Sequence, residues 1–187
     1  MTREELAELY RSFRRYAWRL EARDVYGVPA ENARLQAFLA GESLPESATK
    51  TAWGEQTAAA AAAGRSFARV RMIGHPVTDY TRWEMSVYPE NIAAGEDVRI
   101  LDRAWLNDEN PLWQQDVWLF DDETAVIQRY ADDGAYLGPE LADDPAPYVA
   151  LRARALELSV PYSEYTLLPD QRSDESVPTR EATTIEL

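Results

Sequence analysis

Residues 117–127 read VWLFDDETAVI, three acids in a row between two apolar runs. Aspartates hydrogen-bond local backbone, and the two β-like runs stand at hairpin distance, so Asp121-Asp122-Glu123-Thr124 reads as a turn. The same acids could contribute to a carboxylate metal site, but that needs convergent oxygens from elsewhere. Asp102, Glu96 and Asp116 are the candidates, and no spacing recommends them. The hairpin is the expected reading, and it makes 116–120 and 125–130 neighbouring strands.

Working outward, 98–105 reads as another strand and 134–138 as a short one. A closing helix starts at Asp143-Asp144-Pro145 and runs to about Ser159, with Tyr148, Leu151, Ala155 and Leu158 at helical spacing. Upstream, SFARVRMI (66–73) is β-like and Pro76 closes it. Residues 78–87 fit a helix, because Thr78-Asp79 resembles a cap and Tyr80, Trp83 and Val87 fall three and four apart. This strand–helix–strand unit could supply one parallel pair.

The first third reads as helical. Leu6, Tyr10, Phe13, Ala17 and Leu20 share one helical face, so a single helix is expected over 2–23, opened by Thr2 with Glu4 and Glu5 at its positive end. Further helices are expected over 30–40 and 47–63, the last Ala-rich and stopped by Gly64. The fold class is therefore α+β (mixed α/β): helices over 1–63, then a mixed, mostly antiparallel sheet covered by helices over 64–168. Residues 1–168 form one globular domain, and the polar, acidic 169–187 reads as a disordered tail.

A chain of 187 residues with 45% hydrophobic and 11% aromatic content can bury a sizeable core. The formal net charge of −14 opposes direct nucleic-acid binding. Without cysteine there are no disulfides, thiolate metal sites or cysteine nucleophiles. No run approaches the ~20 apolar residues of a membrane span and no apolar leader opens the chain, so a cytoplasmic protein is expected.

No glycine-rich nucleotide fingerprint, phosphate loop or nucleophile elbow is present, and no cofactor or metal is implied. His75, the single histidine, lies at a strand end, but alone it cannot supply a zinc triad. Alternation along 66–73 puts Phe67, Arg69, Arg71 and Ile73 on one face and Ala68, Val70 and Met72 on the other. Arginines on a covered face need partners, and Glu84, Glu96 and Asp116 could neutralise them. Alternatively Arg69, Arg71, Arg82 and Arg99 could grip an anionic ligand, with Tyr80, Glu84 and Trp118 facing it. On the long first helix Arg11, Arg15, Arg19 and Arg23 would form a basic stripe, either a solvated face or a docking face for an acidic partner.

Four blocks in order, YAWRLEARDVYGV (16–28), GRSFARVRMIGHPVTDYTRWEM (64–85), AAGEDVRIL (93–101) and DVWLFDDETAV (116–126), resemble an uncharacterised family abundant in Streptomyces and related actinobacteria. That resemblance implies genes near helix-turn-helix regulators that carry a C-terminal sensing domain. The later half is loosely similar to that sensing domain, which implies a phospholipase-D-like half without its catalytic His-Lys signature. Family members tend to carry an acid where this chain has His75 before Pro76, so the resemblance gives His75 no shared role.

These readings lead to a non-catalytic regulatory domain that acts through a partner protein, such as a helix-turn-helix transcriptional regulator, or senses a small anionic ligand. A small-molecule enzyme using Glu84, Glu96 or Asp116 in an aromatic cleft is the alternative. A third reading is a structural module whose tryptophans build a homodimer.

Overall fold

A computed structural model of the chain describes residues 1–166; the expected tail lies outside them. The acidic turn is a hairpin between β4 (Asp116–Phe120) and β5 (Thr124–Tyr130). Asp121 and Asp122 both have positive φ, 56° and 66°, as the central residues of a type I′ turn do. The buried Asp121 carboxylate then accepts the backbone N–H groups of Arg14 (2.6 Å), Arg15 (2.7 Å) and Tyr16 (3.0 Å).

That clamp overturns the expected 2–23 helix. Helix α1 covers only Arg3–Ser12, opened by a capping box between Thr2 and Glu5. The chain then enters strand β1, Tyr16–Glu21. Ala17 and Leu20, assigned to one helical face, lie in clusters on opposite faces of the sheet. The sheet offers backbone partners on both sides of β1, and this outweighs helical spacing. The division into helical and sheet-bearing parts at residue 63 falls with it.

Seven strands form one sheet in the order β6-β5-β4-β1-β2-β3-β7. Strands β2 (Ser66–Ile73), β3 (Asp97–Asp102), β6 (Tyr136–Leu141) and β7 (Val160–Pro161) complete it. β1, β2 and β3 run parallel, and the other pairings are antiparallel. The chain is thus mixed α/β, with one more parallel pair than the sequence led us to expect.

Helices α2 (Asn32–Leu39), after a 3-10 turn over Pro29–Glu31, and α3 (Ala48–Ala62) stand where expected. Helix α4 (Asp79–Ala93) starts at its Thr78 cap but continues through Pro89 for six residues beyond the expected end. Proline cannot donate to the carbonyl four residues back. That carbonyl, on Met85, accepts the Tyr162 hydroxyl at 2.7 Å instead. Strand β3 stops at Asp102, whose carboxylate caps a 3-10 turn at Arg103–Trp105 where strand was expected.

Helix α5 (Ala146–Leu158) covers one sheet face alone, packing Tyr148, Leu151 and Ala155 on Trp18, Leu20, Val70 and Leu119. The other face meets α1 and α3 over Phe67, Trp118 and Phe120, and α4 over Ile73 and Ile100. A gap is left between those two clusters. The loop after β1 closes on one flank of it, where Gly27 donates to the Gly134 carbonyl at 3.1 Å. A side chain at Gly27 would come within 3.0 Å of that oxygen, and Gly134 itself has a φ of 87°.

Candidate functional site

The gap is a cavity of about 880 Å³, within the range of small-molecule sites. Register explains its chemistry. Arg19 of β1 stands opposite Arg69 of β2 and Trp118 of β4, and one step on, Glu21 stands opposite Arg71. Alternation aims these side chains at the same face. The result is a sheet face floored by ions where the α5 face is floored by hydrocarbon.

The ions are paired. Glu21 bridges Arg19 (2.8 Å) and Arg69 (3.2 Å). Burial works to raise the Glu21 carboxyl, but Arg19, Arg69 and Arg71 outweigh it and hold it below the usual carboxylate range. Glu96 accepts Arg69 Nε (2.6 Å), Asn91 Nδ2 (2.6 Å) and Trp53 Nε1 (3.1 Å), which engages both of its oxygens. Arg71, fully buried behind the cavity wall, lies 2.8 Å from Glu84. Burial raises the Glu84 carboxyl against the pull of Arg71.

Aromatic side chains make the walls. Tyr10, Trp53 and Trp118 stand at the α1–α3 end, with Trp118 5.0 Å from Tyr10 and 6.0 Å from Trp53 between ring centroids. Tyr26, Tyr80 and Trp83 stand at the other end.

Three polar atoms on this lining are buried and have no hydrogen-bond partner among the described residues: Arg19 Nε, Trp83 Nε1 and Tyr88 Oη. Leaving such a group unsatisfied costs about 1–3 kcal/mol each. The chain's only lysine, Lys50, also lines the cavity and its smaller annex of about 440 Å³. Its amine bonds Asn91 Oδ1 and makes no ion pair among the described residues. Burial and the nearby Arg69 lower its pKa.

Of the residues expected to face a ligand, Arg69, Tyr80, Glu84 and Trp118 line the cavity. Arg71 sits behind it. Arg82, on α4, is half-buried and outside the lining. Arg99 lies on the α5 face, where Nε reaches Ser159 Oγ (2.9 Å) and Nη2 the Ser159 carbonyl (2.6 Å) just past the end of α5; it secures a helix end. Its strand position alternates with that of Arg71's partner Ile100, which is why the two arginines part company.

The expected basic stripe does not form, because α1 ends before it. Arg11 pairs with Glu8 (2.8 Å), Arg15 with Asp122 (3.2 Å), and Arg23 donates to the Ala131 carbonyl (3.3 Å). Arg19 belongs to the cavity. Sequence reasoning missed Glu21, Glu31, Lys50 and Tyr88; the uniqueness of Lys50 in an arginine-rich chain was the one available signal.

Of the acids considered for catalysis, Glu96 is engaged at both oxygens, and Asp116 is taken by the Tyr26 hydroxyl and the Ala22 N–H. His75 lies outside the cavity, 2.7 Å from Asp102. Asp102 also accepts the Tyr165 hydroxyl (3.0 Å) and the Ala104 N–H, and these bonds with that from His75 hold it below its usual range despite burial. Among the described residues no group of three or more His, Cys, Asp or Glu side chains could hold a metal ion. No helix among them is long and apolar enough to cross a membrane.

Fold and site together define a mixed α/β domain with a ligand-sized, ion-floored cavity on one sheet face. No curated protein and no solved structure matches the chain. A family model described as Domain of unknown function (DUF6879) matches residues 4–167, and the chain belongs to that family.

Proposed function

We propose that this chain is a non-catalytic regulatory domain of the cytoplasm that senses a small anionic ligand in the cavity and reports its occupancy to a partner protein. The observation that carries the reading is that, among the described residues, a lysine without an ion pair and an arginine nitrogen without a hydrogen-bond partner border a ligand-sized, aromatic-walled space. Five cationic side chains line it against three carboxylates. Arg34 is taken by Glu90, Arg69 by Glu21 and Glu96, and Arg3 lies over the Tyr136 ring. The Lys50 amine and the outer edge of Arg19 remain for an anion, with Trp53 and Trp118 to hold its apolar body.

The partner reading, a helix-turn-helix regulator of the actinobacterial type, and the phospholipase-D-like likeness both rest on the four resembling sequence blocks alone. Native mass spectrometry of the chain purified from an actinobacterial host tests the partner: a co-purifying regulator supports it, and the bare chain counts against it.

Ligand sensing is tested by titrating the intrinsic tryptophan fluorescence with benzoate and with its neutral counterpart benzyl alcohol. Benzoate is expected to bind at least ten-fold tighter, and Lys50→Met to bring the two within about two-fold. Equal affinities in the unaltered protein overturn the anion preference.

One observation favours the enzymatic alternative: Glu84 is a buried acid on an aromatic cavity with its pKa raised by burial, the setting of a general acid. Its pairing with Arg71 and the engagement of Glu96 and Asp116 leave Glu31 as the one carboxylate on the lining without a cation among the described residues. A turnover that vanishes in Glu84→Gln while benzoate affinity persists would establish that alternative.

A further inference from the structure

We infer that the end of the cavity under the first turns of α4 is a subsite for a protonated amine on the ligand, held between Glu31 and Glu84 and walled by Tyr26, Tyr80 and Trp83. The inference rests on the ligand-binding reading and narrows the ligand from an anion to an amphoteric molecule.

The three carboxylates on the lining are not equally served. Glu21 is neutralised by two arginines. Glu31 has no cationic partner among the described residues; its one polar contact there is the Tyr80 hydroxyl, which donates to it at 2.6 Å. Among the described residues Glu84 has Arg71 as its one cationic neighbour, with Nη2 2.8 Å from Oε2. Tyr88, one turn further along the same helix face and 1% exposed, presents a hydroxyl with no partner. A lone acid, an acid with a single cationic neighbour and an idle hydroxyl thus line one cavity. An ammonium group, with three donors and a positive charge, can satisfy all three.

The rings are arranged to help. Tyr80 lies 6.0 Å from Tyr26 and 5.3 Å from Trp83, tilted at 56° and 62°, so no stacked pair closes the space between them. Aromatic faces beside carboxylates attract cations by their quadrupoles. Burial raises the pKa of both Glu31 and Glu84, and nearby carboxylates add to it. A bound cation would relieve that cost. The anion-binding amine of Lys50 is held by Asn91, seven residues beyond Glu84 on α4. At helical rise this is about 10 Å, so the ligand is an extended molecule with its charges at opposite ends.

Benzylammonium and benzyl alcohol, titrated against the full chain by tryptophan fluorescence, provide the test. Benzylammonium is expected to bind at least ten-fold tighter. In Glu31→Gln, which keeps an acceptor for Tyr80, the preference should fall to within about two-fold, with benzoate binding as tightly as before. Equal binding of the two probes in the unaltered protein, or no binding of either, overturns the subsite, as does a preference that survives in both Glu31→Gln and Glu84→Gln. Loss of the benzoate preference alone leaves the amine subsite standing and removes the anion reading, so the two failures are distinguishable. An unchanged melting temperature in Glu31→Gln confirms that a lost preference is not lost folding.

Discussion

The two faces of the same sheet obey opposite rules. Under α5, Trp18, Leu20, Val70, Leu101 and Leu119 are fully buried in one apolar cluster with Tyr148, Leu151 and Ala155 of the helix. On the reverse of the same strands stand Arg19, Glu21, Arg69, Arg71 and Asp116, also largely buried. Burying hydrocarbon is favourable at about 25 cal/mol per Å². Burying charge costs several kcal/mol per ion before pairing returns any of it. The α5 face therefore stabilises the fold, whereas the ionic face adds little to it, which suits the binding role proposed for its cavity.

Four changes would break or sharpen this contrast. Trp18→Ala on the apolar face should cost about 3–5 kcal/mol in urea unfolding, the ordinary cost of removing a buried aromatic. A loss under about 1 kcal/mol would mean that the α5 face is not the stabilising one.

On the ionic face Arg71→Met alone should cost nearly as much, about 3–5 kcal/mol, because it strands the buried Glu84. Pairing it with Glu84→Met should restore stability to within about 1 kcal/mol of the parent or raise it. If the double variant is as unstable as the single one, the pair contributes to stability after all and the contrast fails.

Asp121→Ala, at the edge where the two faces meet the hairpin, should cost about 2–3 kcal/mol by orphaning three N–H groups. Backbone hydrogen bonds hold the Asp121 carboxyl below its usual range against burial. A depressed folded-state value means that its stabilisation is full above the unfolded aspartate value, near pH 4, and is lost as pH falls through the folded value. The gap between parent and variant should therefore close on acidification, as a pH series of unfolding curves would show.

Glu31→Gln should have the smallest effect and the opposite sign. Burial raises Glu31 above its unfolded value, so its contribution is full below about pH 4.5 and declines as pH rises through the folded value. The variant should match or exceed the parent at neutral pH. A clear destabilisation there would show that Glu31 supports the fold and is not held in reserve for a ligand.

Much of the fold was legible. Turn chemistry at Asp121-Asp122, alternation in 66–73 and the Thr78 cap each act within a few residues, and each element stands where those signals put it. Helical spacing in 6–20 was an equally local signal and misled, because the apolar residues it linked are shared between an edge helix and both faces of a central strand. The helix expected over 78–87 erred in the other direction: it continues through Pro89, because a tyrosine 73 positions later serves the carbonyl that proline frees.

The site was less legible. Arg69 was reached from strand alternation and Tyr80 from helical spacing, and Glu84 was named as an acid able to neutralise an arginine. Arg99 was drawn in by type, and Arg19 was assigned to a stretch of helix that the structure replaces with strand β1.

The sequence by itself determined which segments could be strands or helices, that the domain would be mixed α/β, and that two arginines of β2 would share a face with Phe67. Those properties follow from periods of two and 3.6 residues and from turn residues, all local. Only the tertiary structure decided that β1 enters the centre of the sheet, that Glu21 and Glu96 neutralise Arg69, and that Glu31, Lys50 and Tyr88 border one cavity. Those outcomes depend on partners tens of residues apart, and the cost of burying each charge is fixed only by what the fold sets beside it.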